Sequence, residues 1–205
     1  MNVEQQLNTL RFHGMERQWK SMKETRQTGK LTLEEGLALL LQAESDIRFE
    51  LRFERLKKNA AFRYLASIEE INMDPSRGID NIQLMDLATL QYIERAEPII
   101  IVGATGCGKS FMASATGLMA CAQGKKVAYF SMQKLLLRTK MARLDGSIPK
   151  LFMKLSNVEL LIMDDFGLVN LDQQQRIDLM DIIEDRHTKC STIIASQLPV
   201  PVGIL

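Results

Sequence analysis

Eight consecutive residues, Gly103-Ala104-Thr105-Gly106-Cys107-Gly108-Lys109-Ser110, combine three glycines with a lysine and a closing serine. Glycines let the backbone curl until successive N–H groups point into one hollow, and the lysine directly after the third glycine sets a positive charge at its rim. The run follows an apolar stretch, Ile99–Val102, and opens an amphipathic one. It therefore joins a strand to a helix N-terminus, where the exposed N–H groups and the helix dipole attract anions. An ordinary strand–helix turn does not explain the lysine. The pattern G-x-x-x-x-G-K-[ST] in this setting reads as a phosphate-binding loop. Gly103, Ala104, Thr105, Gly106, Cys107, Gly108, Lys109, Ser110 and Phe111 form the nucleotide-contacting run. Lys109 is expected to bridge the β- and γ-phosphates and Ser110 to offer its hydroxyl to Mg²⁺. Cys107 reads as a small loop residue rather than a redox switch.

Such a loop needs a metal-holding carboxylate from another strand, and Leu160-Leu161-Ile162-Met163-Asp164-Asp165 supplies four apolar residues followed by two acids. Adjacent carboxylates at the end of a buried strand are costly unless a cation or hydrogen bonds offset them. Asp164 is the expected Mg²⁺ holder and Asp165 the expected general base. Asp165 is one methylene shorter than the more usual glutamate, which implies slow turnover or a site completed by a neighbouring subunit. A further apolar run, Thr192–Ala195, leads into Ser196-Gln197-Leu198-Pro199, and the amide of Gln197 is placed to sense a γ-phosphate.

Positioning these groups is the task of a parallel sheet covered by helices. From Pro98 onward short apolar runs alternate with helix-length amphipathic stretches. The pattern predicts strands at Ile99–Val102, Val127–Phe130, Leu160–Met163 and Thr192–Ala195, with helices at Lys109–Gln123, Met132–Leu144 and Asp172–Arg186. The first 73 residues read as a separate helical domain. A helix is predicted over Val3–Thr28, and Thr32 with Glu35 forms a capping-box signature for the next one. That next helix has its expected core face at Leu37, Leu40, Leu41, Ile47 and Leu51, and a basic later half (Arg48, Arg52, Arg55, Lys57, Lys58, Arg63). Asp74-Pro75-Ser76-Arg77-Gly78 is the expected boundary, residues 74–97 a linker with a connecting helix at Asn81–Arg95, and residues 98–205 the α/β core.

Composition narrows the function classes. The chain has 205 residues, 46% of them hydrophobic, enough for a substantial core. Lys+Arg number 26 against 25 Asp+Glu, so bulk charge gives no affinity for nucleic acid or membrane and any basic surface must be local. Three scattered cysteines and two distant histidines form neither a disulfide framework nor a metal cluster, which fits a reducing, cytoplasmic setting. Apolar runs of about five residues fall far short of a membrane span, and no signal-peptide pattern opens the chain.

Together, Gly103–Ser110, the Asp164-Asp165-Phe166-Gly167 element, the Ser196-Gln197-Leu198-Pro199 turn and the helical amino-terminal region resemble the IstB-like AAA+ ATPases of IS21-type insertion sequences. They are similar, less closely, to DnaC-type helicase loaders and the ATPase domain of DnaA. The resemblance spans essentially the whole chain. It implies ATP and Mg²⁺ as cofactors, an ATP-dependent homo-oligomer on duplex DNA, remodelling of that DNA and recruitment of a transposase. In that clade a helical element after the second strand faces DNA. The matching stretch, about 134–154, offers Lys134, Arg138, Lys140, Arg143 and Lys150, with sequence-independent binding expected through the phosphate backbone. The clade's fifth strand, arginine finger and sensor-2 arginine have no counterpart before Leu205. A C-terminally truncated core is therefore expected, with an unpaired edge on the strand before the loop and impaired hydrolysis. Arg176 and Arg186 are the remaining candidates for contacts to a neighbouring subunit. The alternatives are a helicase loader gripping a different partner, a nucleotide-binding relic without turnover, and a phosphotransferase or GTPase. The last pair is disfavoured by the absence of the guanine-reading Asn-Lys-x-Asp motif and of an arginine-rich lid.

Overall fold

The computed structural model describes residues 2–71, 80–168 and 170–197. The chain divides between Arg55 and Leu56 into two compact units. The first is helical, with α1 (Val3–Thr9), α2 (His13–Glu24) and the start of α3 (Leu33–Ala60), which runs on into the second unit. The single helix expected over Val3–Thr28 is thus two, because Arg11 adopts a left-handed φ of 60° through which a right-handed helix cannot continue. The capping box at Thr32 is present: the Glu35 N–H donates to Thr32 Oγ1 at 3.2 Å and the Thr32 N–H to Glu35 Oε2 at 2.8 Å.

The core face expected on α3 is only partly the one observed: Leu40 and Ile47 are half-buried. Leu37, Leu41 and Leu51 are exposed, and within the first unit the buried position of α3 is Glu44. Its carboxylate accepts the N–H groups of Gly14 at 2.7 Å and Met15 at 3.3 Å, and Arg48 Nε at 2.7 Å. The first turn of α2 has N–H groups without intrahelical partners, and an anion there satisfies them. Gly14 permits the close approach, since a side chain at that position would run into the backbone of Ala43 and Glu44. In the first unit this polar contact sets the inward position of α3, and Leu37, Leu41 and Leu51 fall outside.

In the second unit a 3₁₀ turn (Ile68–Glu70) precedes α4 (Asn81–Thr89) and α5 (Gln91–Glu94). The expected connecting helix is broken between them at Leu90, whose φ is 57°. The boundary expected at Asp74–Gly78 lies outside the described residues. There follow β1 (Ile99–Val102), α6 (Lys109–Ala122), β2 (Val127–Ser131), α7 (Met132–Leu144), α8 (Ile148–Ser156), β3 (Leu160–Phe166), α9 (Gln173–Arg186) and β4 (Ser191–Ser196). The strands form one parallel sheet in the order β1-β4-β3-β2. Among the described residues β1 is an edge strand, and Ile100 and Val102 stand half exposed on it.

Helices cover both faces, so β3 reads as an unbroken apolar run, and Leu160, Leu161, Ile162 and Met163 are fully buried. Leu161 and Met163 pack with Met132, Leu135, Leu151, Leu155, Leu179 and Ile182 from α7, α8 and α9. Ile162 points the other way, toward Gly117 of α6. Each such side chain contributes roughly 1.5–3 kcal/mol on burial, and the sum fixes the carboxyl end of β3 beside the start of α6. Arg186 belongs to this framework rather than to a neighbouring subunit. It is 2% exposed and donates to the carbonyls of Leu155, Val158 and Ser191 and to Thr192 Oγ1. Burial draws its guanidinium down to about 10 without discharging it. No helix among the described residues is long and apolar enough to cross a membrane.

Candidate functional site

The loop between β1 and α6 takes the conformation its glycines allow. Gly106 and Gly108 have φ of 81° and 98°, strained for any residue with a side chain, and a Cβ on Gly103 would meet Cys107 Sγ at 2.7 Å. Lys109 is buried and folds back along the loop, its Nζ donating to Gly103 O at 2.8 Å and Ala104 O at 2.7 Å, with Cys107 Sγ at 3.9 Å. Ala104, Thr105 and Gly106 are exposed at the tip. Phe111 packs its ring against Ala66, Ile71, Leu84 and Ala115, which leaves its backbone as the part available to a phosphate. A cleft of about 660 Å³ adjoins the loop, floored by Ile99–Val102 and walled by Leu84 and Leu87 of α4.

Across the sheet, β3 delivers Asp164 to the same place. Ser110 Oγ donates to Asp164 Oδ1 at 2.9 Å, the Asp165 N–H donates to the same oxygen at 2.9 Å, and the Tyr129 hydroxyl donates to Oδ2. Asp164 is 1% exposed, so these three donors hold a buried carboxylate that would otherwise be expensive. Burial, reinforced by the Asp164 contact, pushes the Tyr129 phenol well above its ordinary value and keeps it a donor. Asp165 sits next along, one-third exposed, in a left-handed conformation (φ 57°) that turns its side chain off the strand. Arg63 NH1 lies 3.0 Å from Asp165 Oδ2 and 3.7 Å from Asp164 Oδ2.

The third strand end closes the group. The Gly103 N–H donates to Ser196 O at 3.3 Å, Ser196 Oγ to Phe166 O at 3.2 Å, and Thr105 Oγ1 to Gln197 Oε1 at 2.6 Å. Gln197 thus touches the loop; Leu198 and Pro199 lie outside the described residues. Lys109, Ser110, Asp164, Asp165 and Gln197, scattered over 89 positions from 109 to 197, converge on one end of the sheet.

This donor set fits a hard divalent cation. Ser110 and Asp164 bring two oxygens together, and among the described residues no cluster of three or more His, Cys, Asp and Glu forms a closed metal cage. A cation held by one or two protein oxygens completes its shell from phosphate and water, as Mg²⁺ does.

The basic stretch divides. Lys134 and Arg138, four apart on α7, share a groove of about 600 Å³ with Arg63, Tyr129 and Asp165, and Arg138 lies 5.5 Å from the Phe130 ring centre. Lys140 and Lys150 are exposed elsewhere on α7 and α8. Arg143 is held by Asp178, so its charge is already matched within the chain. Arg176 is exposed and donates to Leu171 O.

Sequence reasoning missed Tyr129 and Arg63. A hydroxyl-bearing residue inside the apolar run Val127–Phe130, on the strand that neighbours the two acids, was the available signal for Tyr129. Arg63 had none, being one of many cations in a basic stretch.

The family model described as IstB-like ATP binding protein matches residues 5–202. A Pseudomonas fluorescens protein, whose name describes it as the ATP-binding protein of insertion sequence IS1162, is 36% identical over 199 residues, 97% of this chain and 86% of its own. In fold, this chain is like AMPPCP-bound DnaA from Aquifex aeolicus (TM-score 0.59, 20% identity, 67% of this chain and 44% of that one). It is also like the DnaC helicase loader (TM-score 0.57, 22% identity, 67% and 80%). The family match over residues 5–202 and the 36% identity to the IS1162 protein show that this chain belongs to the IstB-like ATP binding proteins of insertion sequences.

Proposed function

We propose that this protein binds ATP with Mg²⁺ at the end of the sheet, hydrolyses it, and uses the cycle to assist transposition on duplex DNA. The observation that carries the reading is the 2.9 Å contact between Ser110 Oγ and Asp164 Oδ1, which joins the glycine loop to the strand bearing the acids. The loop N–H groups and Lys109 bind the phosphates, Lys109 exchanging its two carbonyl acceptors for phosphate oxygens. Ser110 and Asp164 hold the cation. Asp165 accepts a proton from the attacking water, and Gln197, anchored through Thr105, reports on the terminal phosphate. Held by Ser110 and Asp164, Mg²⁺ would supply charge neutralisation for the phosphates.

Lys134 and Arg138 supply the phosphate-backbone contacts to duplex DNA, with Lys140 and Lys150 adding to them and Arg143 excluded by its own partner. Assembly into an ATP-dependent homo-oligomer and recruitment of a cognate transposase complete the reading, which rests on membership of the insertion-sequence family. The test is calorimetry and phosphate release with the intact protein, with and without duplex DNA. Wild type is expected to take up Mg-ATP and to turn over faster with DNA. Lys109→Ala should lose more than tenfold in affinity, and Asp165→Asn should bind normally and hydrolyse at least a hundredfold more slowly. Turnover surviving Lys109→Ala would overturn the site assignment.

A further inference from the structure

Asp165 and Asp164 are consecutive acids at the end of a buried strand, and like charges so placed repel. Asp164 is satisfied by three donors, Ser110, Tyr129 and the Asp165 N–H. The side chain of Asp165 is met instead by Arg63, whose NH1 also stands 3.7 Å from Asp164. One guanidinium therefore serves both carboxylates.

Its presentation is built into the fold. Ala61 ends α3 with a left-handed φ of 58°. Phe62 then wedges its ring into a notch that exists because residue 117 is glycine: a Cβ there would lie 2.5 Å from Phe62 Cε1. The same ring meets Tyr129 edge-on at 6.1 Å between centres. With Phe62 pinned between the glycine-loop helix and the tyrosine that holds Asp164, the next residue is delivered to Asp165. The Arg63 guanidinium also lies 5.5 Å from the Tyr64 ring centre, a cation–π contact, while its side chain stays 48% exposed.

We propose that Arg63 is a resident counter-ion of the Asp164–Asp165 pair that competes with the divalent cation for these carboxylates, so that it positions Asp165 and sets how much magnesium the site requires. The inference rests on the nucleotide reading above and adds a positioning residue to it. A divalent ion at Ser110 and Asp164 and a guanidinium at the same carboxylates repel each other, so binding one loosens the other. Because Arg63 follows the end of α3 by three residues, the cation site is covalently tied to the helix that begins in the first unit.

The experiment is a magnesium titration of the intact protein with a fluorescent N-methylanthraniloyl ATP, comparing wild type, Arg63→Ala and Arg63→Lys after circular dichroism shows all three folded. The magnesium concentration for half-maximal binding is expected to fall about threefold to tenfold in Arg63→Ala and less in Arg63→Lys. Affinity for the analogue in EDTA is expected to stay within about twofold of wild type. An unshifted or raised midpoint, or a large loss of affinity in EDTA, would overturn the counter-ion role while leaving the nucleotide site standing. No uptake by any of the three proteins would overturn the site itself and this role with it.

Discussion

Among the described residues of the second unit, arginine meets aspartate at two places, one between α7 and α9 and one at the carboxyl end of β3. Arg143 grips Asp178 with two nitrogens, Nε lying 2.9 and 3.1 Å from the carboxylate oxygens and the terminal nitrogen closing the fork. Asp178 is 2% exposed and also receives Gln174 Nε2 at 3.1 Å. Arg63 meets Asp165 through a single nitrogen at 3.0 Å, and the two side chains remain 48% and 33% exposed. A forked pair around a buried carboxylate cannot open without stranding a charge, whereas a single contact in partial solvent can be traded for another cation. The same two residue types thus make a fixed tie in one place and an exchangeable contact in the other, and what separates them is the number of donors and the depth of the acid.

The largest effect should come from breaking the fixed tie. Asp178→Ala is expected to cost about 2–4 kcal/mol in urea unfolding, since it strips the shared acceptor from Arg143 and Gln174. Asp165→Ala, measured alongside, should change stability by less than about 1 kcal/mol, as exposed pairs do. Equal losses would erase the distinction between the two pairs.

Next in size is Gly117→Ala. Its methyl would sit 2.5 Å from Phe62 and 2.7 Å from Ile162, and Ile162 is fixed in the sheet, so Phe62 must give way. Overpacking of this kind costs roughly 1–3 kcal/mol. Displacing Phe62 also displaces Arg63, so the magnesium midpoint for nucleotide binding should fall in the same direction as in Arg63→Ala. A stability loss with an unmoved midpoint would show that Phe62 packs without aiming its neighbour.

How far the sequence reveals this arrangement follows from which forces act locally. The four strands and the helix Met132–Leu144 are legible because uninterrupted apolar runs and helical periodicity are local signals, and the structure reproduces them to within a few residues at most. The glycine loop is legible because backbone conformation there demands glycine. Breaks at Arg11 and Leu90 are not, since neither residue type advertises a left-handed φ. Glu44 misleads for another reason: a buried acid among leucines looks like a solvent position until the N–H groups of Gly14 and Met15, thirty residues away, are known to need an acceptor. Arg63 and Asp165 are 102 positions apart, and only the folded sheet brings them together.

Tyr129→Phe sharpens the view of the exchangeable end. It removes one of three donors to buried Asp164 and leaves the ring that meets Phe62 in place. The loss in urea unfolding should be about 1 kcal/mol, the net worth of one hydrogen bond. Asp164 should also hold its orientation less well, so magnesium-dependent nucleotide binding is expected to weaken severalfold while binding in EDTA stays put. Weakening under both conditions would place Tyr129 in the phosphate cradle instead.

The smallest effect is a slope with pH. Burial by itself would raise the Asp178 carboxyl, but the donors from Arg143 and Gln174 outweigh it and the net shift is downward from 3.8. The folded protein therefore holds this proton less tightly than the unfolded chain does. Its contribution is complete above the unfolded value and is lost as pH falls through the lower folded one. Glu44, drawn below 4.5 because Arg48 and the Gly14 and Met15 N–H groups overcome its burial, works in the same direction from the first unit. Urea midpoints taken from about pH 6 down to about pH 3 should thus decline in wild type, and Asp178→Asn, with no carboxylate to protonate, should decline less steeply. If the two proteins decline in parallel, the fork on Asp178 contributes nothing that depends on its charge, and the contrast between the two pairs reduces to packing.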